Sequence, residues 1–258
     1  METPSPDDLR RIAIDVALDA AAFVAAERAS TRWFGTTDTK STPTDMVTAV
    51  DKASEARIVA ALRARRPDDG IVAEEGSATT STTGVTWVID PIDGTTNFVY
   101  GYPAVAVSVA AVDGDDASIA GAVVDIGRRE VFSAARGVGA FCDDEPMTLP
   151  GGPAALGFAL IGTGFSYHPD MRVEQAAVVS RILPIVRDIR RGGSAALDLC
   201  WAAAGRTDAY YERGTAPWDR AAGLLIAHEA GLHGDFVGDL VWVAHPRIAD
   251  DLYALITR

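Results

Sequence analysis

The chain has 258 residues, 48% of them apolar, and a formal net charge of −13. That length allows one large domain or two smaller ones with a sizeable core, and the charge argues against a nucleic-acid surface, which would need a basic stripe. An anionic ligand would need bound cations to reverse the local sign. Two cysteines, Cys142 and Cys200, are too few for a disulfide framework and suit a reducing compartment. The opening METPSPDDLRR is acidic and lacks an apolar leader. No apolar run is long enough to span a bilayer. The expectation is a cytoplasmic chain with neither membrane nor nucleic acid as partner.

Residues 7–29 are Ala-rich and free of Gly and Pro, with Leu9, Ile12, Val16 and Ala20 on one face, which predicts a helix. Residues 34–45 are polar with Gly and Pro and read as a loop. A second helix is expected over 51–65 on the stripe Ile58, Val59 and Leu62. After a Pro-Asp-Asp-Gly turn comes a short strand, 71–73, then a Ser/Thr-rich surface loop over 77–84. The apolar run 85–89 is a buried strand. Strands at 104–112, 118–126 and 130–135, joined by Gly/Asp and Gly/Arg turns, form an antiparallel meander. Residues 143–153 are rich in Pro, Gly and acid and mark a boundary between subdomains 1–145 and 146–258. The second half alternates strands near 156–162, 186–190, 207–212 and 240–244 with helices near 170–182, 194–204, 216–230 and from 247. Such alternation implies layered sheets and helices.

The most informative stretch is DPIDGTTNF at 90–98. Two carboxylates, Asp90 and Asp93, stand at the end of a strand, where they can bind hard divalent cations through oxygen. Gly94 and Thr95 then open a helix, whose free N–H groups can receive a phosphate. Three further acidic pieces join it. Glu74-Glu75 ends a short strand, Asp219 follows Pro217 in the first turn of a helix, and Asp45 and Asp51 flank the start of the second helix. Each has a plain structural alternative. Asp51 could be a helix N-cap with Glu55 favouring the dipole, Asp219 a first-turn surface acid, and Glu74 and Glu75 solvated charges. Taken together, carboxylates at strand ends and helix starts favour a metal site. Among the other candidates, the histidines lack ligand spacing. Arg190-Arg191 could draw in an anionic substrate or pair with carboxylates at a subunit contact.

These pieces, in this order, resemble the inositol monophosphatase family over nearly the whole chain. The matching runs are KSTPTD (40–45), Asp51, GIVAEE (70–75), WVIDPIDGTTNF (87–98), GGSAALDLC (192–200), DAYYE (208–212) and Trp218-Asp219. Residues 186–230 are most similar to actinobacterial members. The resemblance implies an αβαβα layered sandwich of mixed α+β and α/β character, a homodimer, and Mg²⁺-dependent, lithium-sensitive hydrolysis of inositol monophosphate. It implies two to three Mg²⁺ ions. Glu74, Asp90 and the carbonyl of Ile92 hold one, and Asp90, Asp93 and Asp219 a second. A third, weaker ion lies near Glu74. Glu74 is preferred to Glu75, because neighbours on a strand face opposite ways. The resemblance also gives Thr95, bonded to Asp51, the task of orienting the attacking water, and Gly94 and Thr95 N–H groups the phosphate. Gly193, Ser194, Ala195 and Glu212 would meet substrate hydroxyls. Ala195 would offer a free N–H, Ser194 could equally be an ordinary N-cap, and Asp93 could also touch a hydroxyl. Lys40 would sit on a lid or be a plain surface lysine. Relatives acting on fructose bisphosphate, histidinol phosphate, NADP or nucleotide bisphosphates share the metal centre, and an inactive binding or regulatory descendant is a reading of another class. Leu232-His233-Gly234-Asp235 departs from the family pattern and predicts a shortened loop before residue 240.

Overall fold

A computed structural model describes residues 4–30, 38–39 and 46–258. Lys40 and Asp45 lie outside the described residues, as does most of the loop expected over 34–45. Helix α1 (Pro6–Ser30) leads to a two-residue pair, β1 (Asp38–Thr39) with β2 (Met46–Val47), and to α2 (Ala49–Arg65). An eight-stranded sheet follows. It comprises β3 (Gly70–Ala73), β4 (Ala78–Thr79), β5 (Thr86–Asp93), β6 (Ala106–Val112), β7 (Ser118–Asp125), β8 (Glu130–Ala135), β9 (Gly139–Cys142) and β10 (Glu145–Pro146), with α3 (Thr95–Tyr100) between β5 and β6. Its order is β10-β9-β8-β7-β6-β5-β3-β4, antiparallel except for the parallel pair β3–β5. A second sheet, ordered β12-β11-β13-β15-β14, comprises β11 (Leu160–Thr163), β12 (Asp188–Arg190), β13 (Ala209–Arg213), β14 (His233–Val237) and β15 (Leu240–Ala244). Its helices are α4 (Pro169–Ile182), α5 (Ala195–Ala203), α6 (Pro217–Ala230) and α7 (Ala249–Ile256).

The layers run α1 and α2, the large sheet, α5 and α6, the small sheet, then α4 and α7. This is the expected αβαβα sandwich. The strand sequences follow from it. Because the large sheet is covered on both faces, β6 reads as an unbroken apolar run rather than an alternation. Val107, Val109 and Ala111 enter the core under α1 and α2, whereas Ala106, Ala110 and Val112 enter the core shared with α5 and α6. A third core, with Ile161, Tyr211, Leu252 and Ile256, lies beneath α4 and α7.

Four local expectations change. Within the Ser/Thr-rich loop, Ala78–Thr79 pairs with β3 as an edge strand. The expected boundary at 143–153 still carries strand at Glu145–Pro146. A 3₁₀ turn, Leu156–Phe158, takes the first part of the 156–162 strand. The expected short loop after Gly231 is instead strand β14, joined to β15 by a two-residue turn at Gly238-Asp239. Gly238 has φ 66° there, a left-handed conformation that suits glycine in a tight hairpin.

Candidate metal centre

The first turns of α2 build the site from behind. Residues 51, 54, 55 and 58 share one helical face, and all four are buried. Asp51 is not the N-cap. Thr48 holds that position, and Asp51, three residues on, accepts the Thr48 N–H at 2.9 Å in a reciprocal capping box. Its other oxygen accepts the Thr95 hydroxyl at 3.0 Å. The N-cap expectation for Asp51 thus gives way to the third helical position, from which one oxygen caps Thr48 and the other meets Thr95. Ser54 donates to the carbonyl of Pro91 at 3.1 Å. Glu55, expected to act on the helix dipole, instead accepts the N–H groups of Glu75 at 2.6 Å and Ser77 at 3.0 Å.

Asp90 and Asp93 pair with Ser108 and Ala106 of β6, and the register shifts between them, three steps on β5 against two on β6. Asp90 Oδ1 accepts the Ile92 N–H at 3.0 Å. The parallel pairing of β3 with β5 brings the end of β3 alongside, and the Glu74 N–H donates to the Ile89 carbonyl at 3.2 Å. Glu74 and Glu75 lie in the turn beyond β3 rather than on the strand, so strand alternation does not govern which of them faces the site. From the other sheet, α6 begins at Pro217, and Asp219 accepts the Ala216 N–H at 2.6 Å. Helix α5 points its N-terminus at Asp93, whose Oδ2 accepts the Ser194 hydroxyl and the Ala196 N–H, each at 2.7 Å. The amide that meets Asp93 is that of Ala196. Ser194 is also the N-cap of α5, accepting the Leu197 N–H at 3.3 Å.

Glu74, Asp90, Ile92, Asp93, Gly94, Thr95, Gly193, Ala195, Glu212 and Asp219 all line one cavity of about 300 Å³. Asp51 and Ser194 stand directly behind it, and Glu75 is not among its lining residues. Sequence reasoning missed the wall made by Phe165, Ser166, Tyr167 and His168. That loop after β11 carries no motif, and its one hint was a histidine in a polar-aromatic run.

Among the described residues of the wall, five carboxylates face one arginine, Arg191, and one histidine. Arg190 turns away and pairs with Asp188. Burial lifts Asp90 well above the ordinary carboxylate range, and repulsion from Glu74, Asp93 and Asp219 adds to it. Asp219 is raised in the same way, by burial and then by Asp93. Burial lifts Asp93 to about 7, although the bonds from Ser194 and Ala196 favour its charge. Among the described residues no group of three or more His, Cys, Asp or Glu side chains is gathered closely enough to hold a metal ion. The fit to a cation rests on the donor chemistry: crowded, buried oxygen ligands repel one another, and hard divalent ions relieve such repulsion.

Comparison with known proteins agrees with this architecture. The model of the inositol monophosphatase family matches residues 5–248. An inositol-1-monophosphatase of Mycobacterium leprae is 48% identical over 98% of this chain and 94% of its own length. The solved structure of Mycobacterium tuberculosis SuhB superposes with a TM-score of 0.86 at 46% identity, covering 98% of this chain and 97% of that one. A Haemophilus influenzae protein named Nus factor SuhB is 42% identical over 72% of this chain and 70% of its own. Family match, identity and fold lead to one statement: the chain belongs to the inositol monophosphatase family.

Proposed function

We propose that this protein is a Mg²⁺-dependent phosphomonoesterase that hydrolyses inositol monophosphate to inositol and phosphate. The carrying observation is the single cavity that joins the two acidic strand ends to the α6 first turn, with Thr95 and Asp51 bonded at its base. Glu74, Asp90, Asp93, Asp219 and the Ile92 carbonyl would hold two to three Mg²⁺ ions. When bound, these would neutralise phosphate charge and acidify the attacking water.

The remaining steps belong to the chain itself. Thr95 orients the attacking water through its hydroxyl, and Asp51 receives proton density from Thr95. The N–H groups of Gly94 and Thr95 meet the phosphate oxygens. Glu212 accepts substrate hydroxyls while its own orientation is held by Tyr210, whose hydroxyl donates to it. Ser194 and Ala196 keep Asp93 aimed into the cavity, and Gly193 and Ala195 shape the hydroxyl-binding wall. A cytoplasmic homodimer sensitive to Li⁺ is part of the same reading. No helix among the described residues is long and apolar enough to cross a membrane.

The relatives named Nus factor keep a second reading, a binding module. Assaying phosphate release with and without Mg²⁺ separates the two. Inositol monophosphate, fructose 1,6-bisphosphate, histidinol phosphate, NADP and a nucleotide bisphosphate form the substrate panel. The expected result is Mg²⁺-dependent release with the highest kcat/KM on inositol monophosphate. A much better substrate elsewhere in the panel overturns the substrate assignment, and no release from any of them favours the binding module.

A further inference from the structure

We propose that Glu55 is the positioning residue for Glu74, and this rests on the metal-dependent reading above. The turn after β3 closes on itself through two bonds, Ala73 N–H to the Ser77 carbonyl at 3.0 Å and Gly76 N–H to the Ala73 carbonyl at 3.2 Å. Gly76 takes a left-handed φ of 106° to make that closure. The N–H groups of Glu75 and Ser77 are left to an acceptor from outside the turn. Glu55 supplies it, one oxygen to each, at 2.6 and 3.0 Å.

Two diverging acceptor oxygens on one rigid arm are what this pair of donors needs. A neutral amide has only one. Bonds from N–H groups to a carboxylate are also stronger than neutral ones. Glu55 is 4% exposed and does not line the cavity, so it touches no substrate. What it fixes is the backbone on the C-terminal side of Glu74, while the Glu74 N–H bond to Ile89 fixes the other side. Helix α2 thus grips both acidic segments: Ser54 holds Pro91 between the two aspartates, and Glu55 holds the turn that aims Glu74.

The test is E55Q. In the absence of substrate, Mg²⁺ is titrated by calorimetry and by the rise in Tm. In its presence, inositol monophosphate turnover is followed against Mg²⁺. The expected result is a Mg²⁺ half-saturation raised by about 10-fold or more, the usual size for losing a residue that orients a metal ligand. KM for the substrate at saturating Mg²⁺ stays unchanged. A lowered Tm with an unchanged Mg²⁺ half-saturation shows a merely structural role and overturns the proposal. Should E55Q fail to fold, E55D is measured instead. Its shorter arm cannot meet both N–H groups, so its Mg²⁺ requirement rises too, and an unchanged requirement overturns the proposal. A wild-type protein with neither a Mg²⁺-induced Tm rise nor Mg²⁺-dependent phosphate release overturns the functional reading itself, and this inference with it.

Discussion

Thr95 has one hydroxyl proton and two acceptors within reach, Asp51 at 3.0 Å and the Ile92 carbonyl at 3.1 Å. It can donate to only one at a time, so its lone pairs and its proton can be re-aimed without moving the backbone. That freedom is what a water-orienting group needs. Thr95→Val keeps the shape and removes the hydroxyl. It should lower kcat by roughly 10²–10⁴, the span for losing a positioned proton-transfer group, with KM changed little; steady-state kinetics reads both, and a wild-type kcat would exclude the role. Asp93 presents a different balance. Its charge is unwelcome in the cation-free site, yet two donors on α5 hold it there. Asp93→Asn should therefore lower kcat by about 10³ or more, as when a stabiliser of reacting charge is removed. The cation-free Tm should stay level or rise. A collapse of the fold in this variant would mean that the charge itself is a structural necessity.

At the scale of elements, the site depends on cross-links between layers. The Asn97 side-chain amide on α3 donates to the Ala104 carbonyl at 2.8 Å and to the Gly192 carbonyl at 2.9 Å, joining the large sheet's edge of the cavity to the α5 entrance. Asn97→Ala removes both bonds and should destabilise the protein by about 2 kcal/mol, at roughly 1 kcal/mol for each bond. Urea unfolding measures it, and a change near zero would show that water replaces the amide. Much of this organisation was readable beforehand. Asp93 precedes the Gly94 that opens α3, Asp219 comes two residues after the Pro217 that opens α6, and long periodic stretches such as α1 announce themselves. What could not be read depended on pairing across the chain. Strand β14 alternates exposed and half-buried residues at a sheet edge, so it lacks the apolar run that marks β6. The Phe165–His168 wall is created by where β11 ends, which no local pattern encodes. Glu55 was the nearest miss. It falls on the same helical face as Ile58, and a carboxylate in a buried stripe signals a buried partner.

For the molecule as a whole, three apolar cores support an acidic cavity at the junction of two sheets, and that arrangement has a pH signature. Asp93 loses its proton near pH 7 in the folded chain, against an ordinary value of 3.8. Asp90, Asp219 and Glu212 are also raised, first of all by burial. Where the folded state holds a proton more tightly than the unfolded chain, stability falls as pH rises. The loss for Asp93 accrues between its unfolded and folded values and is complete above about pH 7. Carboxylates lowered by surface partners, such as Asp19 beside Arg57 and Asp188 beside Arg190, work in the opposite sense, but only at pH below their ordinary range. In the window from about pH 5 to about pH 8, the buried cluster therefore dominates. Calorimetric melts in EDTA should show Tm falling steadily across that window. Saturating Mg²⁺ should raise Tm most at the alkaline end, because a cation binds the deprotonated carboxylates, and so flatten the slope. A cation-free Tm that climbs from pH 5 to pH 8 would mean that the carboxylates do not share the crowded, buried environment on which both the metal reading and the Glu55 clamp depend.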